Sequence, residues 1–286
     1  MNLPVLEPIR DEDIPEFCEF LAENLSSGRT AAQWAEGLRQ HWCPSKPNNG
    51  FVIRDQGRIV GGIGAIYADR SVRGRVERFC NITSWCVQEA FRTQSMRLAI
   101  ALTAQAGIHY TDLTPTAVVS KTLQFLNFKP MDERQAIWPN LPWPLSRLAG
   151  IRIIADPRYI ERVLLGDDAK AYRDHCHLPW LGHLVAGRPG EWCYVVWKRT
   201  RLKGLPGASV LALSEPERFL RYRWALGSYL LLHHGLPYTR IEYRLLPRIP
   251  GPRFELAGYR NKVFRSDTLS AADMSNLYSE LVALDL

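Results

Sequence analysis

Residues 50–67 read Gly-Phe-Val-Ile-Arg-Asp-Gln-Gly-Arg-Ile-Val-Gly-Gly-Ile-Gly-Ala-Ile-Tyr, two apolar runs folded about an Asp55-Gln56-Gly57 turn. Runs of this length, with a glycine at the turn, leave little choice but a β-hairpin. The surrounding pattern then fixes the order of elements. Val5, Leu6 and Ile9 mark a short strand, and Ile14, Phe17 and Leu21 an amphipathic helix with Pro15 near its start. Thr30 to His41 is helical in spacing, with Trp34 and Leu38 on one face. After the hairpin come a strand at Val76 to Val87, a helix at Gln88 to Ala106 closed by Gly107, and a strand at Ile108 to Leu113. A helix at Thr116 to Leu126 and a short final strand complete the first half.

Pro130 to Pro144, rich in proline and tryptophan, reads as a linker. The same order of elements follows it. Ile151 to Ile154 is a strand, Pro157 to Leu165 a helix, and Asp168 to His183 mostly helix; Glu191 to Arg199 and Ala208 to Leu213 are paired strands. Ser214-Glu-Pro-Glu217 has the spacing of a capping box for a helix that runs to His234 and stops at Gly235. Strands at Thr239 to Leu246 and Lys262 to Arg265 and a helix at Ala271 to Leu284 end the chain. The expectation is two domains of one architecture, residues 1–140 and 141–286. The fold class is α/β, each domain a mixed, mostly antiparallel twisted sheet flanked by helices.

The net charge of +7 over 286 residues is dispersed, with short groupings at Arg70 to Arg78, Lys198 to Lys203 and Arg218 to Arg223. Nucleic-acid binders cluster such charge among stacking aromatics, so the balance favours a small anionic ligand instead. No apolar run is long enough for a membrane helix, and the acidic start MNLPVLEPIRDED lacks a signal-peptide core, which places the chain in the cytoplasm. Cys18, Cys43, Cys80, Cys86, Cys176 and Cys193 have no metal-ligand spacing and read as small buried hydrophobes, so no metal is expected.

The segment with the most chemistry is Ser84-Trp-Cys-Val-Gln-Glu-Ala-Phe-Arg-Thr-Gln-Ser-Met-Arg-Leu-Ala99, a strand running straight into a helix without a Ser, Thr, Asp or Asn cap. The first N–H groups of such a helix are left for an anion. With this junction and the order of elements before and after it, residues 1–140 resemble the GNAT (N-acetyltransferase-like) acyltransferases. Pro8-Ile-Arg-Asp11 and Ile14-Pro-Glu16 are similar to that family's first strand and helix. Arg92 matches the first position of its pyrophosphate loop, Q/R-x-x-G-x-G/A, with Ser95 and Arg97 standing at the two small positions. The resemblance implies an acetyl-CoA or other acyl-CoA co-substrate held by Trp85, Cys86 and Val87 on the strand and by Arg92, Thr93, Gln94, Ser95, Met96 and Arg97 on the loop. It implies acyl transfer to an amine of a small metabolite, amino acid or sugar.

Candidate catalytic groups lie on the preceding strand, where Glu77, Asn81 and Thr83 share one face. Glu77 is the only carboxylate among them and the candidate base. Leu123 stands where many relatives carry a tyrosine acid, so Tyr110 on the next strand is the candidate substitute. In the second copy the capped junction at Ser214 is expected to leave no seat for CoA, and His175, His177 and His183 are candidates to line a pocket. Two other readings fit a duplicated architecture: a non-catalytic binding or scaffold protein, and a Fem-type peptidyltransferase that takes aminoacyl-tRNA.

Overall fold

A computed structural model describes residues 3–143, 150–258 and 260–286. The chain forms two compact units, Met1–Met131 with Arg260–Leu286, and Asp132–Tyr259. Each is built on a seven-stranded sheet.

In the first unit the strands are β1 (Val5–Pro8), β2 (Gly50–Asp55), β3 (Arg58–Val72), β4 (Arg75–Val87), β5 (Ile108–Asp112), β6 (Lys129–Pro130) and β14 (Val263–Arg265). Their spatial order is β1-β2-β3-β4-β5-β14-β6. The hairpin at Asp55 to Gly57 forms as its sequence requires, with Gln56 at φ 47° and Gly57 at φ 80°. Helices α1 (Ile14–Asn24) and α2 (Ala31–Leu38) bury Ile14, Phe17, Leu21, Trp34 and Leu38 in one core cluster with Val52 and Ile59. A second cluster holds Leu98 and Leu102 of α3 (Ser95–Thr103) and Leu123 of α4 (Ala117–Phe125) with Ile63, Tyr67 and Tyr110. Thr30 and Thr116 cap α2 and α4 as their positions suggest, each accepting from an N–H three residues on.

The second unit carries β7 (Gln135–Pro139), β8 (Arg152–Ile154), β9 (Leu181–Arg188), β10 (Glu191–Leu202), β11 (Leu205–Leu213), β12 (Tyr238–Glu242) and β13 (Phe254–Leu256) in the order β13-β7-β12-β11-β10-β9-β8. Its helices are α5 (Pro157–Val163), α6 (Gly166–His175) and α7 (Pro216–His234). Gly235, at φ 66°, stops α7 in the left-handed cap expected of it.

Read from β8 inward, the second sheet repeats the first strand for strand. One parallel pair sits in each, β4 with β5 and β11 with β12; the other pairs are antiparallel. The α/β, mostly antiparallel fold class holds for both units.

The domain limits differ from the sequence expectation. The proline-rich stretch taken as a linker holds β7, which pairs with β12 and β13. The strand near Val263, expected in the second domain, pairs with β5 and β6 of the first sheet. Residues 1–140 and 141–286 are therefore not the units. Local pattern cannot reveal this, because a strand's partner is set by which sheet edge its apolar face can cover.

Four element boundaries also shift. The helix expected at Gln88 to Ala106 divides into a 3₁₀ turn at Glu89–Gln94 and α3. Asp168 to His183 is helix only to His175, and the chain is extended again from Leu181. The segment from Ala271 is a 3₁₀ turn, Ala271–Asp273, and one helical turn, α8 (Glu280–Ala283). Ser214 caps nothing, because its hydroxyl accepts the Tyr194 N–H of β10 and α7 starts after Glu215. Five of the cysteines are buried, while Cys176 is exposed. No helix among the described residues is long and apolar enough to cross a membrane.

The returning strand makes a clear test. Phe264 is buried against Phe79, Leu113 and Met131. Phe264→Ala should cost about 3–4 kcal/mol, the usual penalty for truncating a buried phenylalanine. In urea unfolding followed by hydrogen exchange, the loss should fall on the first unit. Weakening confined to residues 132–259 would contradict the pairing of β14.

Candidate functional site

β4 runs for thirteen residues, yet β5 pairs with it only from Arg78 to Asn81. Beyond Asn81 the two parallel strands part, and Ile82 to Val87 lies outside the ladder with β5. A bulge lies in this stretch. Gly64 pairs with Thr83 and Gly62 with Cys86, so Ser84 and Trp85 together face Ile63 of β3. Ser84 takes φ 53°, the left-handed conformation that lets a strand accommodate one extra residue. The Thr83 and Ser84 hydroxyls lie 3.2 Å apart at this point. The Trp85 indole N–H is buried with no partner among the described residues. Burial pushes the Cys86 thiol up, which keeps it protonated.

The strand then passes into Glu89–Gln94 and α3, and no side chain caps either start. This is the junction at which the sequence suggested an anion seat. Arg92 is exposed and paired with Glu89 at 2.8 Å. Arg97 turns away from the junction, since its guanidinium donates to Pro4 O at 3.1 Å and to Gln94 Oε1 at 2.8 Å. Thr93 and Gln94 line an open groove with Leu3, Val5, Arg54 and Gly57. Met96 and Ser95 begin α3, with Met96 exposed.

The candidate catalytic residues do not converge on the bulge. Glu77 lies seven residues before Ser84, about 20 Å along an extended strand. Its carboxylate faces His109 Nε2 at 3.2 Å, and Nδ1 of that ring meets Ser266 Oγ at 2.9 Å. The row of serine, histidine and acid has the form of a proton relay. Ser266 Oγ, however, already accepts the N–H groups of Thr268 and Leu269, so it fixes a turn and has no lone pair free to attack.

Tyr110 is fully buried, its hydroxyl directed at Leu102 O and Gln105 O, each at 3.0 Å. Burial raises it far above the ordinary tyrosine range. Asn81 is also committed: its amide donates to Thr111, and its Oδ1 accepts the Glu280 N–H at 2.7 Å. Thr83 alone of the four stands beside the bulge.

Sequence reasoning missed what fills the base of the fork. Glu280, at the start of α8, is fully buried there; Leu113 N–H and Thr114 Oγ donate to its Oε1 at 2.8 and 3.0 Å. Thr114 also donates its N–H to Asp112 Oδ1, so one residue spans two buried carboxyls. Burial and the Glu280 charge push Asp112 well above the ordinary carboxylate range, and burial raises Glu280 too. The signal in the sequence was a lone carboxylate inside Leu277-Tyr-Ser-Glu-Leu-Val-Ala-Leu284.

The second sheet has its own fork. β11 pairs with β12 only from Ala208 to Val210, and its bulge falls at Leu211, opposite Val196 and Trp197. There α7 starts after Glu215 and carries Glu217 in its first turn, which opposes an anion. Of the three histidines, His183 meets the Tyr194 hydroxyl at 2.7 Å through Nδ1, His175 Nδ1 meets Ala171 O at 2.8 Å, and His177 lies just past α6. Burial lowers His183 to about 4 and keeps it neutral.

The sequence matches no protein-family model and no curated protein. The fold does match solved structures. A GCN5-related N-acetyltransferase from Anabaena variabilis aligns at a TM-score of 0.56, with 12% identity over 92% of this chain and 72% of that one. Another from Kribbella flavida aligns at 0.57, with 13% identity over 92% and 70%. The GCN5-related glucosamine N-acetyltransferase region of a fungal multi-domain GH3 β-N-acetylglucosaminidase aligns at 0.58, with 13% identity over 92% of this chain and 38% of that protein. The fold is the GCN5-related N-acetyltransferase fold, present in two copies.

The bulge can be tested directly. Ser84→Gly should be neutral or slightly stabilising, whereas Ser84→Val should cost about 1–2 kcal/mol because a β-branched residue resists positive φ. Equal melting temperatures for the two variants would place Ser84 in ordinary strand geometry.

Proposed function

We propose that the chain is an acyl-CoA-dependent acyltransferase, moving an acetyl or longer acyl group to an amine of a small metabolite, amino acid or sugar. The observation that carries this reading is the fork between β4 and β5, with its bulge at Ser84 leading into an uncapped helix start. A thioester needs such a place. The edge of Ile82 to Val87 that faces away from β3 and has lost β5 offers backbone groups to an amide-bearing arm. The start of Glu89–Gln94 offers amides and a helix dipole to phosphate, with exposed Arg92 beside it. The structural relative that is a glucosamine N-acetyltransferase region supports an amine as acceptor.

In this reading Trp85, Cys86 and Val87 hold the arm, and Arg92 to Ser95 the phosphates. Arg97 drops out, because its guanidinium serves the N-terminal segment. Attack of the amine nitrogen on the thioester carbonyl forms the amide bond and releases CoA thiol. In this reading the Thr83 and Ser84 hydroxyls, 3.2 Å apart, pass the amine's proton on toward the departing thiolate. Holding the two reactants together supplies much of the acceleration, so a strong base is not required. Glu77 and Tyr110 have no part in this step.

Calorimetric titration with acetyl-CoA and longer acyl-CoAs should give saturable binding, weakened about tenfold in Arg92→Ala, which removes one charge-assisted contact. A screen of amines for free thiol release should then identify an acceptor, with Glu77→Gln retaining the rate within about twofold, as expected of a group outside the reacting centre. No binding by any acyl-CoA would leave the chain a scaffold.

A further inference from the structure

We propose that residues Ser279–Leu286 form a proton-operated strap, seated in the fork while the Asp112–Glu280 pair holds a proton and lifting away when both carboxyls ionise. The seat is specific. Glu280 is tied through its N–H to Asn81 of β4 and through Oε1 to Leu113 and Thr114 beyond β5, so this one residue bridges the two parted strands. Leu284 and Ala283 lie against Gly37 of α2 so closely that a methyl group there would stand 2.1 Å from Leu284 Cδ2 and 2.8 Å from Ala283 O. Arg29 donates to the carbonyls of Leu284 and Asp285.

The same seat is costly in one respect. Glu280 Oε2 is buried without a partner, and neither carboxyl forms an ion pair among the described residues. Two adjacent buried carboxylates cannot both be charged cheaply, so the seated state retains a proton that a lifted strap would shed. Among the described residues, the charged groups near the pair make contacts elsewhere. Asn81 on β4 and Thr114 after β5 are neutral. On β14, whose Val263 pairs with Asp112, the preceding Lys262 directs its ammonium to Asn276 Oδ1 at 3.1 Å. Asp273, nearer the start of the same segment, pairs with Arg73 at 2.8 Å. Arg29 meets main-chain oxygens. Both carboxyls are raised above their unfolded values, so the seat is complete at low pH and is lost as pH rises through the folded value. The strap goes beyond acyl transfer and stands whether or not acyl-CoA is the ligand.

Hydrogen exchange on the full chain, corrected for the intrinsic effect of pH on exchange, reads the strap directly. Peptides covering residues 279–286 should lose protection about tenfold or more as the pH is raised from the ordinary carboxylate range into the alkaline range, while peptides of α1 hold theirs. Asp112→Asn should flatten that dependence. Gly37→Ala should strip protection from the strap at both ends of that range by displacing Leu284, with no effect on residues 132–259. A flat profile in the unaltered protein, an unchanged slope in Asp112→Asn, or a fully protected strap in Gly37→Ala would each overturn the proposal.

Discussion

The parting of β4 from β5 after Asn81 is the constraint on which the first unit's candidate site rests. A strand inside a sheet has both edges occupied; β4 keeps one edge on β3 to its end and loses the other after four pairs. Main-chain groups exposed in this way need partners. At the base of the gap the partner comes from within the chain, through Asn81, Leu113, Thr114 and Glu280. Farther along, at the Ser84 bulge and the turn at Glu89–Gln94, no side chain caps the helix start. In both sheets the strands that part are the parallel pair, β4 with β5 and β11 with β12.

The two sheets make the same fork from different residues. In the first, the bulge residue is Ser84 at positive φ, with a hydroxyl neighbour and a first turn in which Glu89 pairs with Arg92; in the second it is Leu211, followed by Glu215 and by Glu217, which pairs with Arg248. The geometry is repeated with different side chains, so the scaffold does not depend on the residues at the bulge. The strand between the fifth and last positions is also supplied differently, by β14 from late in the chain in the first sheet and by β7 from early in the second.

Much of this was legible in the sequence. The hairpin, the amphipathic helices and the Gly235 stop are set by contacts a few residues apart, which periodicity and turn chemistry report. The uncapped junction after Val87 was legible for the same reason. What local pattern could not give was long-range. The apolar run around Val263 says strand but not which sheet, and the Pro130 to Pro144 stretch hides β7 behind residues typical of linkers. Asn81 and Tyr110 had the right chemistry for a site, yet their partners, Glu280 and the carbonyls of Leu102 and Gln105, arrive by folding. Ser214 had the spacing of a cap but was claimed by β10.

The buried pair of carboxyls belongs to this last class and is its most instructive member. Packing alone would favour an apolar residue at the Glu280 position, since replacing buried charged groups by well-packed hydrophobic ones is often neutral or stabilising. A leucine there could fill the space, but it could not accept from Leu113 N–H and Thr114 Oγ, and the end of β5 would be left with unsatisfied donors. Glutamic acid solves that local problem at the expense of a second carboxyl beside Asp112. The proton that reconciles the two is thus a structural component of the seat at the base of the fork.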